Sequence, residues 1–143
     1  MSRLYRLRRY RRAVLERAAI REEIKRKREE GAEVTEAVQA SLAEFPYTKT
    51  RTRVEGRILS ARDQERTREL AAIEAELNKE IWETEKMVAD VRDPLIRASA
   101  EIHYLNGKTW RETATLLYGT PSAMDGVRMM VNRFFDRREE ERR

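Results

Sequence analysis

Leu70, Ile73, Leu77, Ile81, Thr84, Val88, Val91 and Leu95 recur at steps of three and four, with Glu and Arg on either side. That seam is close to heptad spacing and predicts a long helix over 57–92, best defined from Gln64. Such a stripe needs an apolar partner. Leu4, Leu7, Val14, Ala18 and Ile24, with Tyr10 and Leu15 beside them, form a less regular stripe and predict a helix over 2–30 opening on Ser2. This first helix, folded back as an antiparallel hairpin, is the nearest partner for the seam, and a second copy of the chain is the other. Trp82 lies off the seam centre and reads as a packed residue, with a hairpin or dimer contact as the alternative.

Between the two stripes the pattern dissolves. Gly31 is expected to end the first helix, and Glu33–Leu42 fits a short helix or a loop equally well. Phe45-Pro46-Tyr47-Thr48-Lys49-Thr50-Arg51-Thr52-Arg53-Val54 is rich in Thr and aromatics, and Pro46 disfavours helix just before it. An extended loop over 31–56 is expected, with room for a short strand pair, closing at Gly56. Lys49, Arg51 and Arg53 could touch phosphate there, although a plain surface loop is the simpler reading.

After the seam, boundary residues say more than periodicity. Asp93-Pro94 supplies an N-cap and a first-turn proline, and Asn106-Gly107 supplies a C-cap. The helix between them offers Leu95, Ile96, Ala98, Ile102 and Leu105. Thr109 and Glu112 have capping-box spacing, and Trp110, Ala114 and Leu117 share one face of the helix they open. Gly119 suits the left-handed turn that follows. A third helix starts at Pro121 or Ser122, with Ser122 and Asp125 as an S-x-x-D cap. It puts Val127, Met130, Val131 and Phe134 on one side to pack on Trp110, Ala114, Ile102 and Leu105. The result is a helix-turn-helix within 93–138, followed by a charged, frayed tail over 139–143.

The expected fold class is therefore all-α: a long helical hairpin or coiled-coil arm (1–92) followed by a C-terminal three-helix helix-turn-helix domain (93–138).

Charge bears on function. Asp, Glu, Lys and Arg make up 40% of the chain and the net charge is +5, which permits nucleic-acid binding without establishing it. Met1 to Arg28 holds twelve Arg and Lys against Glu16, Glu22 and Glu23. Arg8, Arg9, Arg11 and Arg12 are auxiliary phosphate candidates, and a solvated charged face packing on a partner helix is the competing reading. Membrane-surface binding fits poorly, because the apolar side of that helix lacks Trp and Phe. No apolar run is long enough for a membrane span or a signal-peptide core, so a cytoplasmic location is expected. There is no cysteine, and the single His103 has no acid or second His at ligand spacing, so no metal or cofactor is expected. Glu22/Glu23, Glu29/Glu30 and Glu139–Glu141 lie in charged runs, no phosphate-binding Gly loop occurs, and an enzymatic reading has no support.

In a helix-turn-helix, the early residues of the last helix meet base edges. Ser122, Asp125, Arg128, Met129 and Asn132 lie away from its apolar stripe. Arg128, matched to guanine, and Asn132, matched to adenine, are the leading base readers. Lys108, Thr109, Arg111 and Arg133 suit phosphate. Asp125 works against free DNA affinity unless it caps the helix or reads cytosine. A three-helix domain that binds only protein would show the same surface.

A family resemblance enters on these residues. Arg-Asp-Pro-Leu-Ile-Arg, then Tyr-Leu-Asn-Gly-Lys-Thr-Trp-Arg-Glu-Thr-Ala-Thr-Leu-Leu-Tyr-Gly, then Val-Arg and Asn-Arg-Phe-Phe, resembles region four of sigma-70 factors. It is most similar to small phage late transcriptional activators of the RinA/ArpU type. Val38-Gln39-Ala40-Ser41, Phe45-Pro46-Tyr47-Thr48 and Glu55-Gly56 resemble the linker of that group, so the likeness runs from about Val38 to Phe135. Thr113 departs from it, standing where an aliphatic residue is usual, and so does Gly126 inside the third helix. The resemblance implies a phage regulator in a bacterial cytoplasm that binds double-stranded promoter DNA and engages host RNA polymerase, with a homodimer as a further expectation. Two other classes stay open: a phage packaging subunit of the small-terminase kind, whose usual order places the helix-turn-helix first, and a helical protein-binding adaptor.

Overall fold

The computed structural model describes the backbone of residues 2–44 and 49–142 and the side chains of 2–30 and 61–136. The described chain is all-helical, with no strand among the described residues. In order it forms α1 (Arg3–Glu44), α2 (Lys49–Ala89), α3 (Pro94–Ala100), a π-helical continuation of α3 (Glu101–Leu105), α4 (Trp110–Tyr118), a 3₁₀ turn (Pro121–Ala123) and α5 (Met124–Arg142). The chain divides into two compact units, one of Met1–Leu15 with Leu77–Arg143 and the other of Glu16–Glu76.

The first helix runs past its expected end, and the second starts before its expected beginning but stops at Ala89, short of the expected 92. The loop expected over 31–56 is helical on either side of 45–48, which lie outside the described residues. Gly31 sits inside α1, as it can: one Gly costs a helix about 1 kcal/mol relative to Ala, and Ala, Glu, Gln and Leu around it offset that. Residues 49–56 likewise belong to α2 rather than to an extended segment. The expected tail over 139–143 is helical as far as Arg142. Its run of Glu and Arg is made of good helix formers.

In the unit of Glu16–Glu76, α1 and α2 run antiparallel. Arg21 pairs with Glu74 (3.0 Å), Arg66 with Glu23 (3.4 Å) and Lys27 with Asp63 (3.8 Å), so one number falls as the other rises. Ile24 and Leu70 are buried there, while Ile73 of the seam is 47% exposed.

In the other unit, α1 and α2 are also antiparallel: Arg6 meets Glu83 at 2.9 Å, Arg9 meets Glu80, and the Tyr10 hydroxyl donates to Glu85 at 2.7 Å. Leu77, Ile81, Thr84, Val88 and Val91 are buried, and buried Thr84 donates its hydroxyl back to the Glu80 carbonyl (3.0 Å). The seam therefore finds its apolar partner within the chain. Leu95, its expected last member, is 38% exposed. Trp82 does not pack. It is 60% exposed, with the Lys86 ammonium 5.1 Å from its ring centre.

The core of this unit draws on more than residues 93–138. Leu4 and Leu7 of α1, with Val88 and Val91 from the end of the seam, join Ile96, Ala100, Tyr104, Ala114, Val127, Val131 and Phe135 in one buried cluster. Each large side chain taken fully from water contributes roughly 1.5–3 kcal/mol, so the outside residues matter to the stability of α3–α5. The Arg3 guanidinium closes one side, 5.0 Å from the Phe135 ring centre and 5.9 Å from that of Phe134.

Candidate nucleic-acid interface

The helix-turn-helix is set by its caps. Asp93 accepts from the backbone N–H of Leu95 (2.9 Å) and Ile96 (3.3 Å), with Pro94 in the first turn. From Glu101 the helix widens: the N–H of Asn106 reaches the Glu101 carbonyl (2.8 Å), and that of Lys108 reaches the Ile102 carbonyl (3.1 Å). Gly107 then takes φ +76° and turns the chain into α4. Thr109 caps α4 by accepting from the Glu112 N–H (3.1 Å). The other half of the expected capping box differs, because the Glu112 carboxylate accepts from the Thr109 hydroxyl (3.2 Å) and not from its backbone.

Gly119, at φ +74°, ends α4. The next cap is Thr120, not Ser122: Thr120 Oγ1 accepts from the Ser122 N–H (3.3 Å) and meets the Ser122 hydroxyl at 2.8 Å. Thr120 has the extended backbone a cap needs, and Pro121 follows in the first turn, where its missing N–H costs nothing. The α-helix proper begins at Met124, so Asp125 falls in its first turn.

An aromatic cluster ties α3 to the start of α4. The His103 ring stacks on Trp110 (centres 3.7 Å apart, 16° between planes), and Tyr104 meets both edge-on. His103 Nδ1 donates to the Lys108 carbonyl at 2.7 Å. Burial pushes the imidazole below its ordinary pKa of 6.5, and the bond to Lys108 opposes that in part. His103 thus holds structure, and no group of three or more His, Asp or Glu able to hold a metal occurs among the described residues.

On α5 the buried positions are Val127, Val131 and Phe135. Phe134, expected in the core, is only partly buried, and Phe135 takes that place because it continues the step of four from Val131. Thr113 is fully buried on α4 and donates its hydroxyl to the Thr109 carbonyl (2.8 Å), so a polar residue fills this apolar position without an unsatisfied hydroxyl.

The candidate base readers lie off the buried stripe. Ser122, Asp125, Arg128 and Met129 are exposed. Arg128 is not isolated, since its Nη2 lies 3.2 Å from Asp125 Oδ1. Asn132 is half-buried and its Oδ1 accepts from the Tyr104 hydroxyl at 2.7 Å. Tyr104 was not among the candidates, although it follows Ile96 and Ala100 at steps of four.

The candidate phosphate residues gather at the start of α4. Lys108, Thr109 and Arg111 are exposed there, and Lys108 Nζ stands 3.9 Å from Glu112. Arg133 is exposed on α5. Of the auxiliary arginines, Arg8, Arg11 and Arg12 are exposed. Arg9 is tied to Glu80, and Arg11 donates to the Leu105 carbonyl (3.3 Å), lying where a side chain at 107 would go. Part of the basic charge on α1 is thus spent inside the fold.

No family model, curated protein or solved structure matches the chain. No described helix is long and apolar enough to cross a membrane.

Proposed function

We propose that this protein is a sequence-specific regulator of transcription that binds double-stranded DNA. The α4–turn–α5 unit enters the major groove, with α5 as its recognition helix. The observation that carries this reading is the juxtaposition of two exposed sets. Asp125, Arg128 and Met129 line the outer side of α5, and Lys108, Thr109 and Arg111 stand at the capped start of α4. Base edges are read from the first set and phosphates are held by the second.

The likeness to phage late activators and to sigma-70 region four supports promoter DNA as the target and bacterial RNA polymerase as a partner in the host cytoplasm. No catalytic step and no cofactor are part of this reading. Trp82, at 60% exposure, supports a protein contact on α2, either with polymerase or with a second copy of the chain.

Selection of bound duplexes from random DNA, followed by footprinting at the selected sites, tests the proposal. A defined motif is expected, with affinity that falls steeply with salt. A chain that recovers no motif and shows only weak, sequence-blind binding overturns the reading and leaves a protein-binding adaptor. Assembly into a large ring in solution would favour the packaging class.

A further inference from the structure

Val127, Val131 and Phe135 mark the buried side of α5. At about 100° per residue, the positions turned roughly half a circle away from them are Gly126, Met129 and Arg133. All three are exposed, Met129 to 45%. They form the stripe of the helix that points most directly outward.

Two members of this stripe are unusual for a solvated helical face. Gly126 lies inside α5 without a left-handed backbone to accommodate, and a Cβ there meets nothing within 4 Å. It weakens the helix and gives the fold nothing in return. What it does provide is a notch, where another molecule can come up against the helix backbone. Met129, three residues on, borders that notch with a flexible apolar side chain. Arg133 adds a cation further along the same stripe. Asp125, one turn before Met129, has its charge matched by Arg128 at 3.2 Å.

A duplex approached from the major groove offers partners in this order. The apolar group on its base edges is the 5-methyl of thymine, and phosphates border the groove. A protein surface would also accept Met129. The exposed cations of the same three helices, Arg133 on α5 with Lys108 and Arg111 at the start of α4, favour a polyanion instead.

We infer that Gly126 and Met129 form a seat for the 5-methyl group of one thymine in the target duplex. Gly126 lets the base edge come close, and Met129 covers the methyl. This rests on the DNA-binding reading above. It adds that one base position is specified by apolar contact and not by hydrogen bonds. Asp136, two turns beyond Met129, belongs to the end of the helix that leaves the groove.

The experiment starts from the motif selected by the full-length parent chain. Each thymine of that motif is replaced in turn by uracil, which removes the methyl and keeps the pairing edge. One replacement is expected to weaken parent binding about fourfold, as for one methyl-sized group taken from water. Met129→Ala is expected to bind the thymine duplex more weakly by at least that factor, and to bind the thymine and uracil duplexes equally. Gly126→Ala fills the notch and is expected to lose affinity several-fold while its Tm rises, so unfolding cannot account for the loss. The inference fails, with the DNA reading intact, on any of three outcomes. These are a motif in which no uracil replacement matters, a sensitive thymine that stays equally sensitive in Met129→Ala, or a Gly126→Ala chain that binds as tightly as the parent. A parent with no motif at all removes both.

Discussion

Arg128 Nη2 lies 3.2 Å from Asp125 Oδ1, one turn back along α5, with both side chains largely in water. An exposed pair of this kind adds little to stability. On the proposed DNA-binding reading its consequence is for binding: Arg128 carries its own counter-charge and would have to exchange it for DNA. Asp125→Ala is expected to leave thermal stability nearly unchanged and to raise DNA affinity several-fold, with a salt slope steeper by about one. Arg128→Ala should weaken binding to the selected site by about 1–3 kcal/mol and relax one base position. Filter binding across a salt series reads both. Equal affinity for Asp125→Ala and the parent chain would show that the ion pair does not compete with DNA.

Gly107 and Gly119 have nearly the same left-handed backbone, at φ +76° and +74°. Their surroundings differ. A Cβ at 107 would stand 2.9 Å from the Arg11 guanidinium, while at 119 it would meet nothing within 4 Å. Gly119→Ala should therefore cost only the left-handed penalty, about 1 kcal/mol. Gly107→Ala should cost about 1–2 kcal/mol, because Arg11 must also leave its place over the turn. Urea unfolding of the two variants, with and without Arg11→Ala, isolates the difference. It should shrink when Arg11 is gone.

Gly126 is the opposite case. It lies inside α5 with ordinary helical geometry, and a Cβ there meets nothing within 4 Å. Nothing in the fold needs it to be Gly. Gly126→Ala is expected to stabilise by about 1 kcal/mol and to raise Tm by about 3 °C. Calorimetry decides the matter, and an unchanged or lower Tm would contradict the open space around this position.

His103 makes stability depend on pH. Its folded pKa is lowered by burial, so the fold favours the neutral ring. As pH falls through the ordinary value near 6.5, the unfolded chain takes up the proton first. The stabilising contribution is therefore complete above that value and is lost as pH drops through the lower folded pKa. The expected result is a Tm that declines between about pH 7.5 and 5, with a smaller decline in His103→Gln. Ring-proton shifts in NMR should give a midpoint below that of free histidine. A midpoint at or above the free value would contradict the stacked, half-buried ring.

Much of the architecture was legible in the sequence because local chemistry marks it. Asp93-Pro94, Thr109 and the two glycines at 107 and 119 act on their own backbone, and each does what its residue type predicts. The seam from Leu70 to Val91 was legible because its period is regular. What failed depends on partners distant in sequence or on competition between neighbours. Thr120 outdoes Ser122 as a cap because Pro121 sits between them. Phe135 outdoes Phe134 because the final step is set by Val131 and by Arg3 packing over both rings. The helical stretches on both sides of 45–48 were missed because one Gly and several Thr resemble a loop, while the formers around them win. In the candidate site, spacing located the exposed side of α5 but not what holds each member. Asp125 beside Arg128 follows from helical spacing, whereas Tyr104 beneath Asn132 requires knowing how α3 crosses α5.

Leu4 and Phe135 share one buried cluster, and they stand some 130 residues apart in the chain. On a ribosome moving at about 5–20 residues per second, the first waits on the order of seven to twenty-six seconds for the second. Until then Leu4 and Leu7 lie bare on a strongly basic helix. The turns of α3–α5 can form early, since their bonds are local, but the core beneath them is completed only once Phe135 has been made. Folding of the whole unit should accordingly be slower than that of a helical protein built from neighbouring contacts.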